Sequence, residues 1–271
     1  YLDFVILEYF KYFKNIYLAI IWPRCNIKVS RFLDQFPQKI CLKNLKFNYK
    51  GAHNLLSQVY KDEHWLGSNT ENFPGVRGKL VSCFSSFKNV HFIAFHSESH
   101  SEVVNVKENI RALINVGKHS IHITDTMSEV LNLSRFIFNT NGLHFLNYAN
   151  PNKFINLQEK IIYVKNKVSD SSYDINDFVL FKDSTFSLYG KKNSHKLDYE
   201  VFFDKLNNCS RSFDNYTKFD YVLEPMNYFH FNGLKFTSYK SSLKCLYNER
   251  KLNKFLRFIL YFKYKKEFSI V

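Results

Sequence analysis

The chain has 271 residues, enough for one large domain or two modest ones. With 45% hydrophobic and 23% charged residues, its composition argues against a disordered, collagenous or coiled-coil protein. The 38 Lys and Arg against 24 Asp and Glu give a net charge of +14, which admits nucleic acid or another anionic partner. The 29 Phe and 18 Tyr, beside abundant Lys, Asn and Ile, match the residue usage of an AT-rich genome, so the charge alone demands neither.

The first thirty residues read as a helix at Leu2 to Phe13, a strand at Ile16 to Trp22 and a turn after Pro23. Charges at Asp3, Glu8, Lys11 and Lys14 break the apolar run well short of the ~20 residues a membrane span needs. A strand over Ile40 to Tyr49 and a helix over Gly51 to Tyr60 follow. Lys61 to Arg77 is a polar, turn-rich loop carrying the exposed-looking aromatics Trp65 and Phe73, and loops of that length usually have a task.

Val90 to Phe95 reads as a strand, and Ser99 with Glu102 has the spacing of a capping box. The helix it opens carries Val103, Val106, Ile110, Leu113 and Ile114 on one stripe and stops at Gly117. His119 to Thr124 is a further strand, and Thr126 with Glu129 is a second capping box leading into Val130, Leu133, Ile137 and Phe138. Strand, helix, strand, helix is an α/β unit. Asn141 and Gly142 are expected to close its last helix in a left-handed cap, with a strand beginning at Leu143 to Leu146.

Asn150-Pro151-Asn152 divides the chain into an α/β part, residues 1–151, and a smaller mixed-sheet part, residues 152–271, α+β overall. Lys160 to Val168 is mixed in pattern and Ser169 to Asn176 resembles a linker. Strands follow at Phe178 to Phe181 and Lys196 to Phe203, with a short helix at Thr185 to Tyr189 between them. Tyr228 to Phe231 and Leu234 to Phe236 form a hairpin about Asn232-Gly233, and helices begin at Ser242. The alternating apolar and basic segment Phe255 to Lys266 suits a core-packed helix with a basic outer face or contact with an anionic membrane surface. Cys25, Cys41, Cys83, Cys209 and Cys245 form no C-x-x-C pair, which suits a reducing, cytoplasmic setting.

The densest polar string in the first part runs from Gly117 to Thr126, where a strand feeds a capped helix, the place at which α/β proteins bind ligands. One reading is structural: Thr126 caps the helix, while Asp125 and the histidines bond nearby backbone. A second is a phosphate site formed by Lys118, His119 and the helix amides, joined by Lys79 and by Lys107 and Arg111, four apart on one helix surface. A third is a zinc site adding His96 and His100, although strand alternation separates His119 from His122.

In the second part, Asp183-Ser184 follows a strand, Leu188-Tyr189-Gly190-Lys191-Lys192 forms a turn, and Asp198-Tyr199-Glu200 lies on the next strand. This resembles the nucleotidyltransferases of the polymerase-β type, with a Gly-Ser turn followed by Asp-x-Asp or Asp-x-Glu. Alternate positions on one strand project two carboxylates to the same side to hold Mg²⁺, and the turn brings backbone amides to the triphosphate. It also resembles bacterial surface-polysaccharide proteins, related in outline to phosphocholine-transferase and fukutin-like enzymes, with a Leu-Tyr-Gly-x-Arg turn before the acidic strand.

The resemblance implies Mg²⁺ held by Asp198 and Glu200, Ser184 on the phosphates, and transfer of a nucleotidyl or phospho-substituent in surface-glycan or lipopolysaccharide biosynthesis. Asp183 stands in place of the glycine and Lys192 in place of the arginine; aligned on Leu188-Tyr189-Gly190, Lys196 takes the place of the first Asp. Those departures open an alternative, a catalytically decayed fold that binds a nucleotide or sugar phosphate. A basic nucleic-acid-binding protein ranks third, since no stacking signature of an RNA-binding module is present.

Overall fold

The computed structural model describes residues 2–25, 28, 30–170, 175–197, 199–201 and 224–249. Asp198, the last two residues of the expected strand Lys196 to Phe203, and the basic segment Phe255 to Lys266 lie outside these residues. Contacts divide the chain into two units, Tyr1–Asn139 with Leu146–Tyr148, and Thr140–Phe145 with Ala149 onward. Among the described residues no helix is long and apolar enough to cross a membrane.

The first unit is built on a four-stranded antiparallel sheet of β1 (Ile16–Ile21), β2 (Gln38–Leu45), β3 (Val90–His96) and β4 (Ile121–Ile123), in the order β2-β3-β1-β4. β1 is antiparallel to both β3 and β4, so those two run parallel on either side of it. They are joined by helix α5 (His100–Ile114), a crossover that skips one strand. The central position of β1 explains its uniformly apolar sequence, Ile-Tyr-Leu-Ala-Ile-Ile, because both faces are covered.

One face packs Ala19, Ile21, Ile93, Phe95, Ile121 and Ile123 against Val103, Val106 and Ile110 of α5, with Phe32 from α2 (Ser30–Leu33). Against the other face lies α6 (Met127–Ile137), with α1 (Leu2–Tyr12) and α3 (Tyr49–Val59) packed on α6. Helix α4 (Val76–Cys83) packs on α3. It begins within the stretch expected to be loop.

Both expected capping boxes form. The Ser99 hydroxyl accepts from the Glu102 amide at 3.2 Å, and the Thr126 hydroxyl from the Glu129 amide at 3.2 Å. The reciprocal bonds go to the residue before each cap: the Glu98 amide donates to Glu102 and the Asp125 amide to Glu129. Helix α5 ends at Asn115, whose left-handed backbone (φ 55°) closes it, and Gly117 takes the next positive φ.

Asn141 and Gly142 do not cap α6. They belong to a further helix, α7 (Thr140–Tyr148), and so does the segment Leu143 to Leu146 that was expected to start a strand. Its apolar residues Phe145 and Leu146 are buried, Phe145 with its ring against those of Phe229 and Phe231, and a four-residue apolar run does not by itself distinguish helix from strand.

The second unit holds a four-stranded mixed sheet in the order β6-β5-β8-β7, from β5 (Phe178–Leu180), β6 (Tyr199–Val201), β7 (Tyr228–Phe231) and β8 (Leu234–Thr237). β5 pairs antiparallel with β6 and parallel with β8, and β7 with β8 is the expected hairpin. Its turn is Asn232-Gly233, both with positive φ, as a two-residue hairpin of this twist requires. Helices α8 (Leu157–Ser169), α9 (Asp183–Leu188) and α10 (Tyr239–Glu249) complete it. α8 occupies much of what read as mixed pattern and linker.

Gly190 ends the turn after α9 with φ +66°, and a Cβ there would lie 2.8 Å from Lys153 Cδ and 3.1 Å from Asn150 Cβ. The turn is bonded to that loop on both sides: the Asn150 amide donates to the Leu188 carbonyl and Lys153 Nζ to the Gly190 carbonyl.

Candidate functional site

In the first unit, β4 is an edge strand, preceded by a 3-10 turn over Gly117–His119. His119 is therefore not on the strand, as its sequence pattern had suggested. Ile121 and Ile123 enter the α5-facing core, and His122 between them points to the other face, where its ring meets the Tyr60 ring edge-on at 5.2 Å. Tyr60 closes the C-terminus of α3 and touches the Trp65 ring at 5.2 Å. Lys79, on α4, places its ammonium 4.7 Å from the Tyr60 centroid and 5.9 Å from that of Trp65.

Five cations, Arg24, Lys79, Lys107, Arg111 and Lys118, act on this group and on the neighbouring His119. His122 is pushed down to about 3 by burial first, then by Lys107, Lys79 and Arg111. His119 is lowered by burial, then by Lys79, Lys118 and Arg24. Lys79 itself is held below the ordinary lysine range, chiefly by burial; Lys118 and Arg111 add to the fall, while Cys83 and Glu63 oppose it. Burial lifts the Tyr60 hydroxyl above its usual range, so it stays protonated.

The acids around this cluster are fewer. Glu108 binds Arg111 at 2.7 Å, and the exposed Asp125 stands 3.9 Å from Lys107. Among the described residues, Lys79 and Lys118 have no carboxylate within 4 Å. Three buried nitrogens of the cluster, Arg111 Nε, His119 Nδ1 and His122 Nε2, have no hydrogen-bond partner among the described residues. Buried donors and acceptors left open in this way are the exception in proteins and call for an explanation.

Other parts of the string are structural. The buried Thr124 hydroxyl accepts from the Leu18 amide at 2.9 Å, and the Thr124 amide donates back to the Leu18 carbonyl, extending the β1–β4 pairing. The Ser120 carbonyl accepts from the Trp22 amide, and the Cys25 thiol lies 3.3 Å from it. At the start of α6 the Glu129 and Asp125 amides are engaged by the helix's own caps. The cationic side chains, more than the helix amides, are what this place offers an anion.

The zinc arrangement has no support in the register. His96 lies opposite Ile16 and His122 opposite Ile20, four residues apart along β1, or roughly 13 Å. Among the described residues no group of three His, Cys, Asp or Glu side chains could hold a metal.

In the second unit, Glu200 lies on β6 opposite Val179 of β5, and α9 begins with Asp183-Ser184 just beyond β5. Ser184 is completely buried and its amide donates to the Phe181 carbonyl at 3.1 Å. The Asp183 carboxylate pairs with Lys192, so the residues in place of the motif's glycine and arginine bind each other. Lys196 is exposed and precedes β6. Glu224 caps a 3-10 turn through the Met226 amide. Lys182, before α9, has φ 49° and ψ −110°, a backbone conformation that glycine adopts far more easily.

Buried beneath, His144 Nδ1 lies 2.8 Å from the Tyr189 hydroxyl, and the His144 ring stacks on Tyr239. Burial pushes this histidine down to about 4.

Of the residues singled out in the sequence, the fold gathers Lys107, Arg111, Lys118, His119 and Lys79 in the first unit. Tyr60 was not singled out: nothing local distinguishes it, since its role comes from the packing of α3 on α4. Comparison with protein-family models, with curated proteins and with solved structures finds no match to the chain.

Proposed function

We propose that the chain binds a phosphorylated small molecule, a nucleotide or a sugar phosphate, through the basic cluster of its first unit. The reading rests on the convergence of Lys79, Lys107, Arg111 and Lys118 on the half-buried His119 and His122. Gathering like charges raises the energy of the free protein, and a bound polyanion offsets that cost by charge-assisted hydrogen bonds. Lys107 and Arg111 each keep an acidic neighbour, so Lys79 and Lys118 are the cations with most to gain.

Calorimetric titration of the full chain with pyrophosphate and with uridine diphosphate tests this. Binding should weaken at least about tenfold in Lys79→Ala/Lys118→Ala and fall with added salt. Equal binding by the wild type and this variant would contradict the proposal. Tight, steeply salt-dependent binding of long RNA with no response to either small anion would favour the nucleic-acid reading instead.

A second reading is Mg²⁺-dependent transfer of a nucleotidyl or phospho-substituent to a surface-glycan precursor, with Asp198 and Glu200 as metal ligands and Ser184 near the phosphates. What favours it is the antiparallel β5–β6 pair with Glu200 in register, linked through a helix that opens on Asp183-Ser184. Mg²⁺-dependent heat with a nucleoside triphosphate, lost in Glu200→Gln, would support this reading. Nucleotide binding insensitive to both Mg²⁺ and Glu200→Gln would leave the binding function of the first unit as the activity.

A further inference from the structure

The stretch from Lys61 to Gly75 is ordered far more tightly than a connecting loop requires. Leu66 is fully buried and anchors a 3-10 turn over His64–Leu66. Gly67 has φ +82°, and a Cβ there would lie 2.7 Å from Pro74 Cδ. Gly75 donates its amide to the Leu66 carbonyl at 3.0 Å, and a Cβ at Gly75 would fall 2.3 Å from the Trp65 carbonyl oxygen. At the far end Asn72 and Phe73 both take positive φ (57° and 52°), a conformation that costs a bulky L-residue energy and persists only where the surroundings enforce it.

This construction leaves Trp65 47% exposed, with its ring against that of Tyr60. The Lys79 ammonium lies near both rings, 4.7 Å from the Tyr60 centroid and 5.9 Å from that of Trp65, so a phosphate on it and a ring against the indole can belong to one small molecule.

We infer that Trp65 is the stacking platform for the ring of the phosphorylated ligand, and that the Lys61–Gly75 loop sets specificity for a ring-bearing phosphate over a simple anion. The inference rests on the anion-binding reading above and adds the ligand's second half. A nucleobase presents a π-face and a hexose presents an apolar C–H face, and either can lie on an indole. Stacking of a base on an aromatic side chain is worth enough to separate such ligands from bare phosphate by roughly tenfold or more.

The full chain supplies its own reporter. Of its two tryptophans, Trp22 is fully buried and Trp65 is exposed, so Trp65→Phe provides the blank for fluorescence titrations. The probes are uridine diphosphate, glucose 1-phosphate and pyrophosphate. At least one ring-bearing probe should quench Trp65 and bind about tenfold tighter than pyrophosphate. Trp65→Ala should remove that tenfold advantage and Trp65→Phe restore most of it. Which probe responds identifies the ring as base or sugar.

Equal affinities for all three probes, unaffected by Trp65→Ala, would overturn the stacking role while leaving the anion site standing. If no probe binds, by calorimetry as well as by fluorescence, both readings fall together.

Discussion

Acidification gives a sharp test of how the first unit is assembled. His122 is held down to about 3 by burial and by Lys107, Lys79 and Arg111, against an ordinary value of 6.5. Between those values the unfolded chain carries a proton that the folded one refuses, so stability is full above pH 6.5 and is lost as pH falls toward 3. Each pH unit in that window costs up to about 1.4 kcal/mol for one proton. Going from pH 6.5 to 4.5 therefore removes on the order of 2.5 kcal/mol through His122 alone, a large share of a domain's stability. Denaturant unfolding followed by Trp22 emission in a Trp65→Phe background reports on this unit, because Trp22 lies in its core. His122→Phe keeps an aromatic ring against Tyr60 and should flatten the pH dependence by about that amount. Parallel loss of stability in His122→Phe and its parent, or titration of His122 near pH 6.5 in the folded protein, would refute the reasoning.

The remaining predictions concern backbone and caps. Thr126→Ala should destabilise the first unit by about 1 kcal/mol, read as a lower denaturation midpoint, with Thr126→Ser close to wild type. Gly190→Ala, forced to positive φ against Asn150, should lower the stability of the second unit by more than about 1 kcal/mol by calorimetry. Lys182→Gly should raise the melting temperature of that unit by relieving backbone strain of about 1–3 kcal/mol, less the entropy glycine gains on unfolding. A lower melting temperature would show that the lysine side chain outweighs its backbone.

Much of the fold was legible where local chemistry is specific. The two capping boxes and the Asn232-Gly233 hairpin each follow from a few adjacent residues whose bonds are local. Helix α8 escaped because Ile162 and Tyr163 stand on its solvent side, 57% and 63% exposed, and blur the stripe of Leu157, Ile161, Val164 and Val168. Helix α4 was hidden by Gly75 and Gly78 at its start, although Gly75 is needed for its close approach to Trp65.

At the site, the cations were readable one by one, but their meeting was not. Lys79 comes from α4, Arg111 from α5 and Lys118 from the turn before β4, and only the packing of these elements places them around His119, His122 and Tyr60. The acidic pair was read from a motif, of which the described residues include Glu200 on its strand and not Asp198.

Histidine NMR during a pyrophosphate titration of the full chain tests the central claim most directly. Burial first and the neighbouring cations second hold His119 and His122 down, and a polyanion among Lys79, Lys107, Arg111 and Lys118 offsets the cations' part. The account predicts that the signals of both rings move together and saturate at one ligand per chain, with the His119 pKa rising, while His144 in the other unit stays fixed. Unchanged His119 and His122 signals at saturating pyrophosphate, or a response confined to His144, would contradict it.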